Sequence, residues 1–295
     1  IESSIKVGPC TIENDFVKVL VRSNGTFDLL HKHSGTSFHN LNLLEDTEDV
    51  GDEYNYGKAR SSRTITSEGI NGNLNIVETG PAFATIRADF VMGLPAAITA
   101  DRLARQEATV CCPVIVFITV HSNTSRVDIT TVFNNNAKDH RLRAHFPVEF
   151  ESENVFAEGQ FGIIERPIAL PDSDGWVEKP AGTKPVQSFV AIEGNGAGLS
   201  VINKGLPEYE VIDSEYPVIA QTLLRCMGWL SRDDYNERPY HAGPSLATPE
   251  AQCIGKQVFK YSVLPYTRGW RKAAVWQQAH QHNVPLRVVN ATSHE

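Results

Sequence analysis

Six carboxylates crowd the stretch from Leu44 to Tyr56, which reads LEDTEDVGDEYNY and ends in two tyrosines. Carboxylate oxygens accept hydrogen bonds from sugar hydroxyls, and they are also the ligands that Ca²⁺ prefers. The stretch is therefore a candidate loop for binding a polyol or Ca²⁺. The alternative is a solvated acidic loop without a ligand, and the spacing does not match the calcium loop of an EF-hand.

A second polar region, from Leu223 to Ala251, alternates arginines with aromatic residues. Its arginines are Arg225, Arg232 and Arg238, and Trp229 is one of its rings. Guanidinium groups donate directional hydrogen bonds to hydroxyls, and flat rings cover the C–H faces of sugars, so the region is typical of a sugar-binding surface. The alternative is a long connection held by Arg–Asp pairs and proline turns.

Other catalytic or metal-binding patterns are weak. The sequence has no GxSxG and no cysteine in a catalytic signature, so serine or cysteine hydrolase chemistry is not predicted. The HxH pairs His31/His33 and His280/His282 lack an obvious acidic third ligand, and we predict no metal site. The glycine-rich segment 194–198 predicts a hairpin turn, because no helix follows that could bind phosphate.

The chain consists of short β-rich runs separated by Gly, Asn, Asp and Pro, and this pattern predicts a mainly β protein. The strands of that protein must position the polar side chains of the two candidate regions. The alternating segment Phe16 to Val21, the turn Asn24-Gly25 and the segment Thr26 to Leu30 predict a β-hairpin. Further strands are predicted at Thr64–Thr66, Leu74–Glu78, Ala84–Val91, Pro113–His121, Val127–Phe133, Leu142–Phe150, Phe189–Glu193, Gly198–Asn203, Tyr209–Ile212, Ala220–Arg225 and Gln257–Pro265. We expect a large antiparallel β-sandwich of two stacked sheets, with a short helix at Trp270 to Gln281.

Length and composition agree with one large folded unit. The 295 residues are 41% hydrophobic and 21% charged, and we treat residues 1–295 as a single β-sandwich domain with a helical appendage at 267–282. The net charge is −8, without a cationic cluster, so no nucleic-acid or membrane partner is predicted. The apolar run Val110 to Val120 is too short for a bilayer helix, which needs about 20 residues, and predicts a buried strand.

Five cysteines without CxxC spacing predict reduced thiols and a cytoplasmic location. The sequence begins with neither a methionine nor a visible signal peptide. We therefore expect it to be a fragment of a longer protein.

Two segments of the chain, GDEYNY and TPEAQCIG, are specific enough to suggest a family. Six further segments fall in the same order along most of the chain: DFVKVLVRSNGTFDLLHKHSG, LRAHFPV, GQFGIIERP, GLSVINKGLPEYEV, LLRCMGWLSRDD and FKYSVLPY. Together they resemble the C-terminal β region of glycoside hydrolase family 38, the α-mannosidases, and in particular the bacterial branch of α-mannosidases and mannosylglycerate hydrolases. The resemblance implies a large β-sandwich of the galactose-mutarotase type.

The resemblance also implies where the chemistry lies. In this family an aspartate of an N-terminal barrel is the nucleophile, and a zinc ion is held by two histidines and two aspartates. None of the ten histidines here is followed by aspartate two positions on, as the zinc segment requires. We therefore expect no catalytic and no metal-binding residue in this fragment, no activity when it is alone, and zinc bound by the missing N-terminal catalytic domain of the same polypeptide.

The implied substrate-binding residues follow from the family's motif. Tyr54, in GDEYNY, resembles the tyrosine that reaches from the sandwich toward bound mannose. Arg232 is the better match to an arginine near that site, and Arg225 is the second. Asp52 completes the predicted set, although it and Glu53 depart from the small residues of eukaryotic relatives. The alternative is that Tyr54 is only packed and Arg232 only forms an ion pair.

Two other functions stay open at this stage. The chain could be a freestanding carbohydrate-binding or structural module, or an epimerase that uses His145 and Glu149, four apart on one predicted strand. The identity of the mannose-containing carbohydrate and the formation of homo-oligomers are also left open.

Overall fold

A computed structural model of the protein describes residues 5–290, which form twenty β-strands, one 3₁₀-helix at Pro249–Gln252 and one α-helix. The first ten strands are β1 Lys6–Val7, β2 Thr11–Glu13, β3 Val17–Val21, β4 Phe27–His31, β5 Thr36–Leu41, β6 Leu43–Glu48, β7 Ile65–Thr66, β8 Asn73–Thr79, β9 Phe83–Pro95 and β10 Thr109–His121. The other elements are β11 Val127–Asn135, β12 His140–Pro147, β13 Asn154–Glu158, β14 Ile163–Pro167, β15 Thr183–Pro185, β16 Phe189–Gly194, β17 Ala197–Asn203, β18 Glu208–Ile212, β19 Val218–Cys226, β20 Gly255–Thr267 and α1 Val275–Asn283.

The described strands form three antiparallel sheets, so the mainly β, antiparallel class is confirmed but the expected number of two sheets is wrong. Their strand orders are β1-β2-β3-β4-β5, then β14-β13-β16-β17-β20-β11-β10-β9-β8, and finally β15-β18-β19-β12-β6-β7. The extra sheet arises where the chain turns at Asn42, which has φ 66°, because β5 pairs with β4 whereas β6 pairs with β12. A left-handed residue of this kind redirects a strand sharply.

One continuous apolar core joins the three sheets. Phe27, Val116 and Phe146 come from different sheets. Each is 0% exposed, and all three belong to the same cluster of buried side chains. In β11 buried residues alternate with partly exposed ones, as period-two alternation requires. The apolar run Val110–Val120 lies within β10, which confirms the predicted strand.

The predicted local turns are also present. The β3–β4 hairpin is confirmed, with Gly25 at φ 81° in its turn. Asn195 and Gly196, both at positive φ, connect β16 directly to β17, so the glycine-rich segment is the hairpin turn that the sequence predicts.

Helix α1 begins five residues later than predicted, because Ala274 adopts φ 52° and residues 270–274 form turns. Its buried residues Val275 and Ala279 pack with Phe189 and Ile202 in a second, smaller core on the nine-stranded sheet. No helix within residues 5–290 has the length and apolar character needed to cross a membrane.

A buried tyrosine hydroxyl ties the sheets together. Tyr261 on β20 donates a hydrogen bond to Oδ1 of Asn42 at 2.7 Å, and its oxygen lies 2.6 Å from Oγ1 of Thr131 on β11. Asn42 in turn donates to the carbonyl oxygen of Gly25 at 3.0 Å. Asn42, which lies between the five-stranded and six-stranded sheets, is thus hydrogen bonded to the nine-stranded sheet.

Replacing this tyrosine by phenylalanine tests the tie. Tyr261→Phe leaves the buried Asn42 oxygen without its donor, so we expect the free energy of unfolding to fall by about 1–3 kcal/mol. Urea denaturation of both proteins measures the change. The exposed Tyr216→Phe is the matched control and should leave stability unchanged; equal stability of all three proteins would show that the tie contributes nothing.

Candidate functional site

The candidate site is a polar cavity of about 410 Å³ over the outward face of the six-stranded sheet. Strands β6, β12 and β18 form its floor, and the segments 54–58 and 179–183 form its walls. In β12 the inward residues Leu142 and Ala144 belong to the core, so Arg141 and Arg143 point outward. The register places Arg141 beside Thr47 of β6 and beside Arg225 of β19.

The acidic stretch from Leu44 to Tyr56, which the sequence suggests is a loop, is in part a β-strand. Its first residues belong to β6, and only the part from Asp49 onward is a loop. Asp49 is buried and its Oδ1 accepts the backbone N–H groups of Gly51 at 2.9 Å and Gly57 at 3.2 Å. The loop closes so tightly that a Cβ on Gly51 would lie 2.0 Å from the carbonyl oxygen of Asn55. This position therefore requires glycine.

Asp52 organises the tip of this loop. Its carboxylate is fully buried: Oδ1 accepts the backbone N–H of Tyr54 and of Asn55, each at 3.0 Å. Oδ2 accepts the backbone N–H of Arg232 at 2.8 Å and a hydrogen bond from the guanidinium of Arg238. With its oxygens buried and bonded, Asp52 positions its neighbours within the described residues, and its role as a substrate contact stays a prediction.

Arg238 is the partner that sequence reasoning did not select. It is 2% exposed, and besides Asp52 it donates a hydrogen bond to the hydroxyl of Tyr235 at 2.7 Å. Its guanidinium carbon lies 5.7 Å from the ring centre of Tyr54. The sequence singles out Arg238 only as one of three arginines in a polar region, because no short-range spacing connects it with an aspartate 186 positions away.

Tyr54 is displayed at the edge of the cavity. Its backbone is held by Asp52, yet 54% of the residue is exposed, and its side chain lines the cavity. A Cβ on Gly243 would lie 2.9 Å from the tyrosine hydroxyl, so the segment carrying that glycine passes close to it. The position predicted for a sugar contact is therefore accessible and backed by a rigid loop.

The two predicted arginines, Arg225 and Arg232, both contact the loop that carries Asp52. Arg225 donates from Nε to Oδ2 of Asp49 at 2.8 Å and from Nη2 to the carbonyl oxygen of Asp52 at 2.9 Å. Burial opposes its charge, but Asp49, Glu208 and Asp52 together outweigh burial and raise the pKa of Arg225. Arg232 pairs with Asp234 at 2.5 Å and lies over the ring of Trp229 at 4.7 Å. Neither arginine is among the described residues that line the cavity.

The sequence reasoning missed the charged floor of the cavity. Nε and Nη2 of Arg143 donate to Oε1 of Glu45 at 3.0 and 2.6 Å, and Nη1 donates to Glu210. His145 lies 3.4 Å from the same Glu45 oxygen. Burial opposes ionisation of Glu45, but His145 and Arg143 outweigh it and lower its pKa to about 2. Alternation of charged and apolar residues in LRAHFPV was the one available sequence signal for this face.

Arg141, two residues before Arg143 on β12, differs from it in its hydrogen bonding. Its guanidinium carbon lies 3.5 Å above the ring centre of Tyr56, and its side chain is 4% exposed. Nε and Nη1 have no hydrogen-bond partner within the described residues, and the nearest carboxylate oxygen, on Glu210, is 3.9 Å from Nη1. Burial, and then the charge of Arg143, lower the pKa of Arg141.

The other candidate pairs separate in the fold. Strand β12 ends at Pro147, so the prediction that His145 and Glu149 share a strand face is wrong; Glu149 instead lies 3.9 Å from His39. His282 belongs to α1 and lies 2.9 Å from the hydroxyl of Ser262. Across residues 5–290, no three His, Cys, Asp or Glu side chains are grouped so that they could hold a metal ion.

Comparison with known proteins agrees with this architecture. The family described as "Glycosyl hydrolases family 38 C-terminal domain" matches residues 12–236. A protein of Halalkalibacterium halodurans named "Putative mannosylglycerate hydrolase" is 30% identical over 293 residues, which are 95% of this chain and 31% of that protein. "Alpha-mannosidase G" of Dictyostelium discoideum is 23% identical over 96% of this chain and 23% of its own length.

The crystal structure of an alpha-mannosidase from Enterococcus faecalis V583 superimposes with a TM-score of 0.89 at 29% identity. The match covers 100% of this chain and 34% of that one. A second structure from Enterococcus faecalis, of a protein in glycosyl hydrolase family 38, has a TM-score of 0.87 and is covered to 35%. The chain thus spans about a third or less of the proteins it matches.

Removing the Asp52 carboxylate should release the loop. Asp52→Ala leaves the buried Arg238 without its counter-ion, and we expect the free energy of unfolding to fall by about 3–5 kcal/mol. Urea denaturation measures the change, and the exposed Asp174→Ala should have little effect. A loss no larger than that of the control would contradict the role of Asp52 as the centre of the loop.

Because the pKa of Glu45 is lowered, the free energy of unfolding should depend on pH between about 4.5 and 2. A carboxyl group that ionises more readily in the folded state stabilises above its unfolded pKa, about 4.5, and this contribution disappears as the pH falls toward 2. We expect the wild type to lose about 3 kcal/mol more than Glu45→Gln between these pH values. Unfolding in urea at a series of pH values tests this, and parallel pH profiles would contradict it.

Proposed function

The chain belongs to glycosyl hydrolase family 38, as its C-terminal domain, and from this premise we propose that it forms one wall of the mannoside-binding site of an α-mannosidase-like hydrolase. One observation carries the proposal most directly. Tyr54, at the position that resembles the family's mannose-binding tyrosine, is exposed at the edge of a polar cavity and is backed by the buried Asp52. The ligand we propose is a mannose-containing carbohydrate.

Residues of this chain would bind and orient the sugar. The Tyr54 hydroxyl can donate or accept a hydrogen bond, and its ring offers a flat apolar face. Arg232 keeps 22% of its side chain exposed and is proposed as the second contact. Arg225, engaged with Asp49 and with the Asp52 backbone, is proposed to hold the loop.

We assign the bond-breaking chemistry to an N-terminal domain of the same polypeptide. A retaining glycosidase needs a nucleophilic and an acid/base carboxylate about 5–5.5 Å apart across the bond. The family's zinc does not fit the described part of this chain, where no group of three suitable ligands exists. We therefore derive no step through the metal and propose that the N-terminal domain binds it.

The cytoplasm is the proposed location, supported by five cysteines that are all free thiols in the described residues. Cys112 and Cys226 are buried, and burial raises the pKa of both thiols, which keeps them protonated and unreactive.

Activity of the full-length polypeptide tests the role of Tyr54. Tyr54→Phe removes only the hydroxyl, so we expect kcat/KM for an aryl α-mannoside to fall about 3- to 10-fold, as the loss of one hydrogen bond predicts. The exposed Tyr216→Phe is the control, because Tyr216 does not line the cavity. An unchanged kcat/KM in Tyr54→Phe would count against a sugar contact at this position.

The second candidate is a freestanding carbohydrate-binding module, favoured by the accessible cavity with its charged floor. Calorimetric titration of the 295-residue chain with mannose and mannobiose separates the two functions. Micromolar binding, about −8 kcal/mol, would favour a module that binds alone, whereas no detectable heat would favour part of a larger site. Hydrolysis of a mannoside by this chain alone would overturn the assignment of the chemistry to another domain.

A further inference from the structure

Within residues 5–290, the outward face of the nine-stranded sheet is covered at one end only. There, Val275 of α1 packs with residues of β16, β17 and β20. The other end consists of β8, β9, β10, β11 and the first half of β20, and on it Val91 and Val258 are 48% and 50% exposed. This end of the face therefore lies open to solvent in the described part of the chain.

The strand register gathers apolar side chains on the open end of the face. Residues directly opposite each other on antiparallel strands point to the same side of a sheet. Ile115 on β10 lies opposite Val132 on β11, which in turn lies opposite Val258 on β20. The apolar patch consists of six outward side chains that are all at least partly exposed: Val91, Pro113, Ile115, Phe117, Val132 and Val258. A contiguous apolar surface of this kind marks an interaction site.

The open end of the face is large enough for a stable protein–protein interface. Five strands spaced about 4.8 Å apart are about 24 Å wide, and the 13 residues of β10 extend about 43 Å at 3.3 Å per residue. Their product is on the order of 1,000 Å², whereas a standard interface buries about 800 Å² on each partner. An apolar centre with polar residues around it is also the usual composition of such an interface.

The charges around the apolar patch are separated by sign. Lys256 and Lys260 on β20 lie along one side of it, and Glu78 on β8 lies on the opposite side. None of these three side chains forms an ion pair within residues 5–290, whereas Arg87 and Asp89 between them neutralise each other. A face with one basic and one acidic side is complementary to itself, because a two-fold axis parallel to the strands places the basic side of each copy against the acidic side of the other.

We propose that this face binds the same face of a second copy of the chain, so that the protein is a symmetric dimer. The two nine-stranded sheets pack about 10 Å apart, and the two-fold axis runs along β10, the middle one of the five strands. The two apolar patches then cover each other. Lys260 approaches Glu78 of the partner subunit, since their rows are two residues apart along the strands and a lysine side chain spans that offset.

Other occupants fit this face less well. A glycan needs aromatic rings and several hydrogen-bonding groups, but Phe117 is the one ring of the apolar patch. A nucleic acid needs a surface of positive sign, which Glu78 interrupts. The N-terminal domain of our proposed function would bind over the six-stranded sheet, on the other side of the shared core, so that both contacts can form at the same time.

Sedimentation velocity of the 295-residue chain tests the proposal. We expect the wild type to be a dimer, and the double variant Val91→Lys/Val258→Lys to raise the dissociation constant at least about 100-fold, because each dimer would bury four new charges in place of apolar side chains. Both positions are half exposed in one chain, so circular dichroism should show an unchanged fold. The matched control is Leu20→Lys, at an exposed strand position of the five-stranded sheet, and should leave the dimer intact.

Reversing the charges tests the direction of the two-fold axis. Glu78→Lys and Lys260→Glu should each raise the dissociation constant about 3- to 30-fold, because the exposed ion pair that they break occurs twice in the dimer. The combination of both substitutions restores the pair with opposite signs. It should therefore return the dissociation constant to within about 3-fold of the wild type, and a combined loss equal to the two single losses would contradict this axis.

Cys111 gives a direct measure of the geometry. This residue is exposed and lies on the outward side of β10, opposite Gly93 of β9. Because β10 lies along the axis, Cys111 should come within about 15 Å of Cys111 of the partner subunit. A bismaleimide of that length should therefore join two wild-type chains covalently, and it should not join two chains of Cys111→Ser.

Several results would overturn the proposal. One is a monomeric wild-type chain, and another is a dimer that Val91→Lys/Val258→Lys weakens no more than Leu20→Lys does. Cross-linking that persists in Cys111→Ser would place the contact elsewhere on the molecule. The full-length polypeptide should show the same dimer and the same cross-link, and a monomer there would mean that another part of the polypeptide covers this face.

Discussion

The buried ion pair between Asp52 and Arg238 is the interaction on which the site depends. It joins two segments that lie far apart in sequence, and the same carboxylate also holds the backbone of Tyr54, Asn55 and Arg232. A buried carboxylate is tolerated only when its oxygens are fully bonded, and here four donors meet that condition. As a result, Tyr54 is half exposed although its backbone is fixed by hydrogen bonds, which agrees with its proposed role as a sugar contact at the edge of the cavity.

On the outward face of the six-stranded sheet, two neighbouring arginines differ in how their charges are compensated. Arg143 is compensated by two carboxylates, whereas Arg141, two residues away on the same strand, is stacked on the ring of Tyr56, and its Nε and Nη1 have no hydrogen-bond partner within residues 5–290. The contrast between the two arginines arises although both side chains are buried in the floor of the same cavity.

The site also depends on how three sheets share one core. The left-handed Asn42 moves the chain from the five-stranded sheet to the six-stranded sheet, and Tyr261 anchors that point to the nine-stranded sheet. Strand β6, which follows directly, carries Glu45 into the cavity and leads into the loop of Asp52. The geometry of the cavity is thus linked through a few buried polar bonds to the packing of the whole domain.

Much of the fold follows from the sequence alone, because alternation with period two and tight-turn residues act over a few neighbours: the β3–β4 hairpin, the turn at Asn195-Gly196 and most long strands were predictable. The family, and Tyr54 as a candidate contact, followed from local motifs. Strand β6, the division into three sheets, the contrast between Arg141 and Arg143, and the pairing of Arg238 with Asp52 were not predictable. These depend on contacts between residues some 90 to 190 positions apart, and such contacts exist only after the chain has packed, when burial decides which charges find a partner.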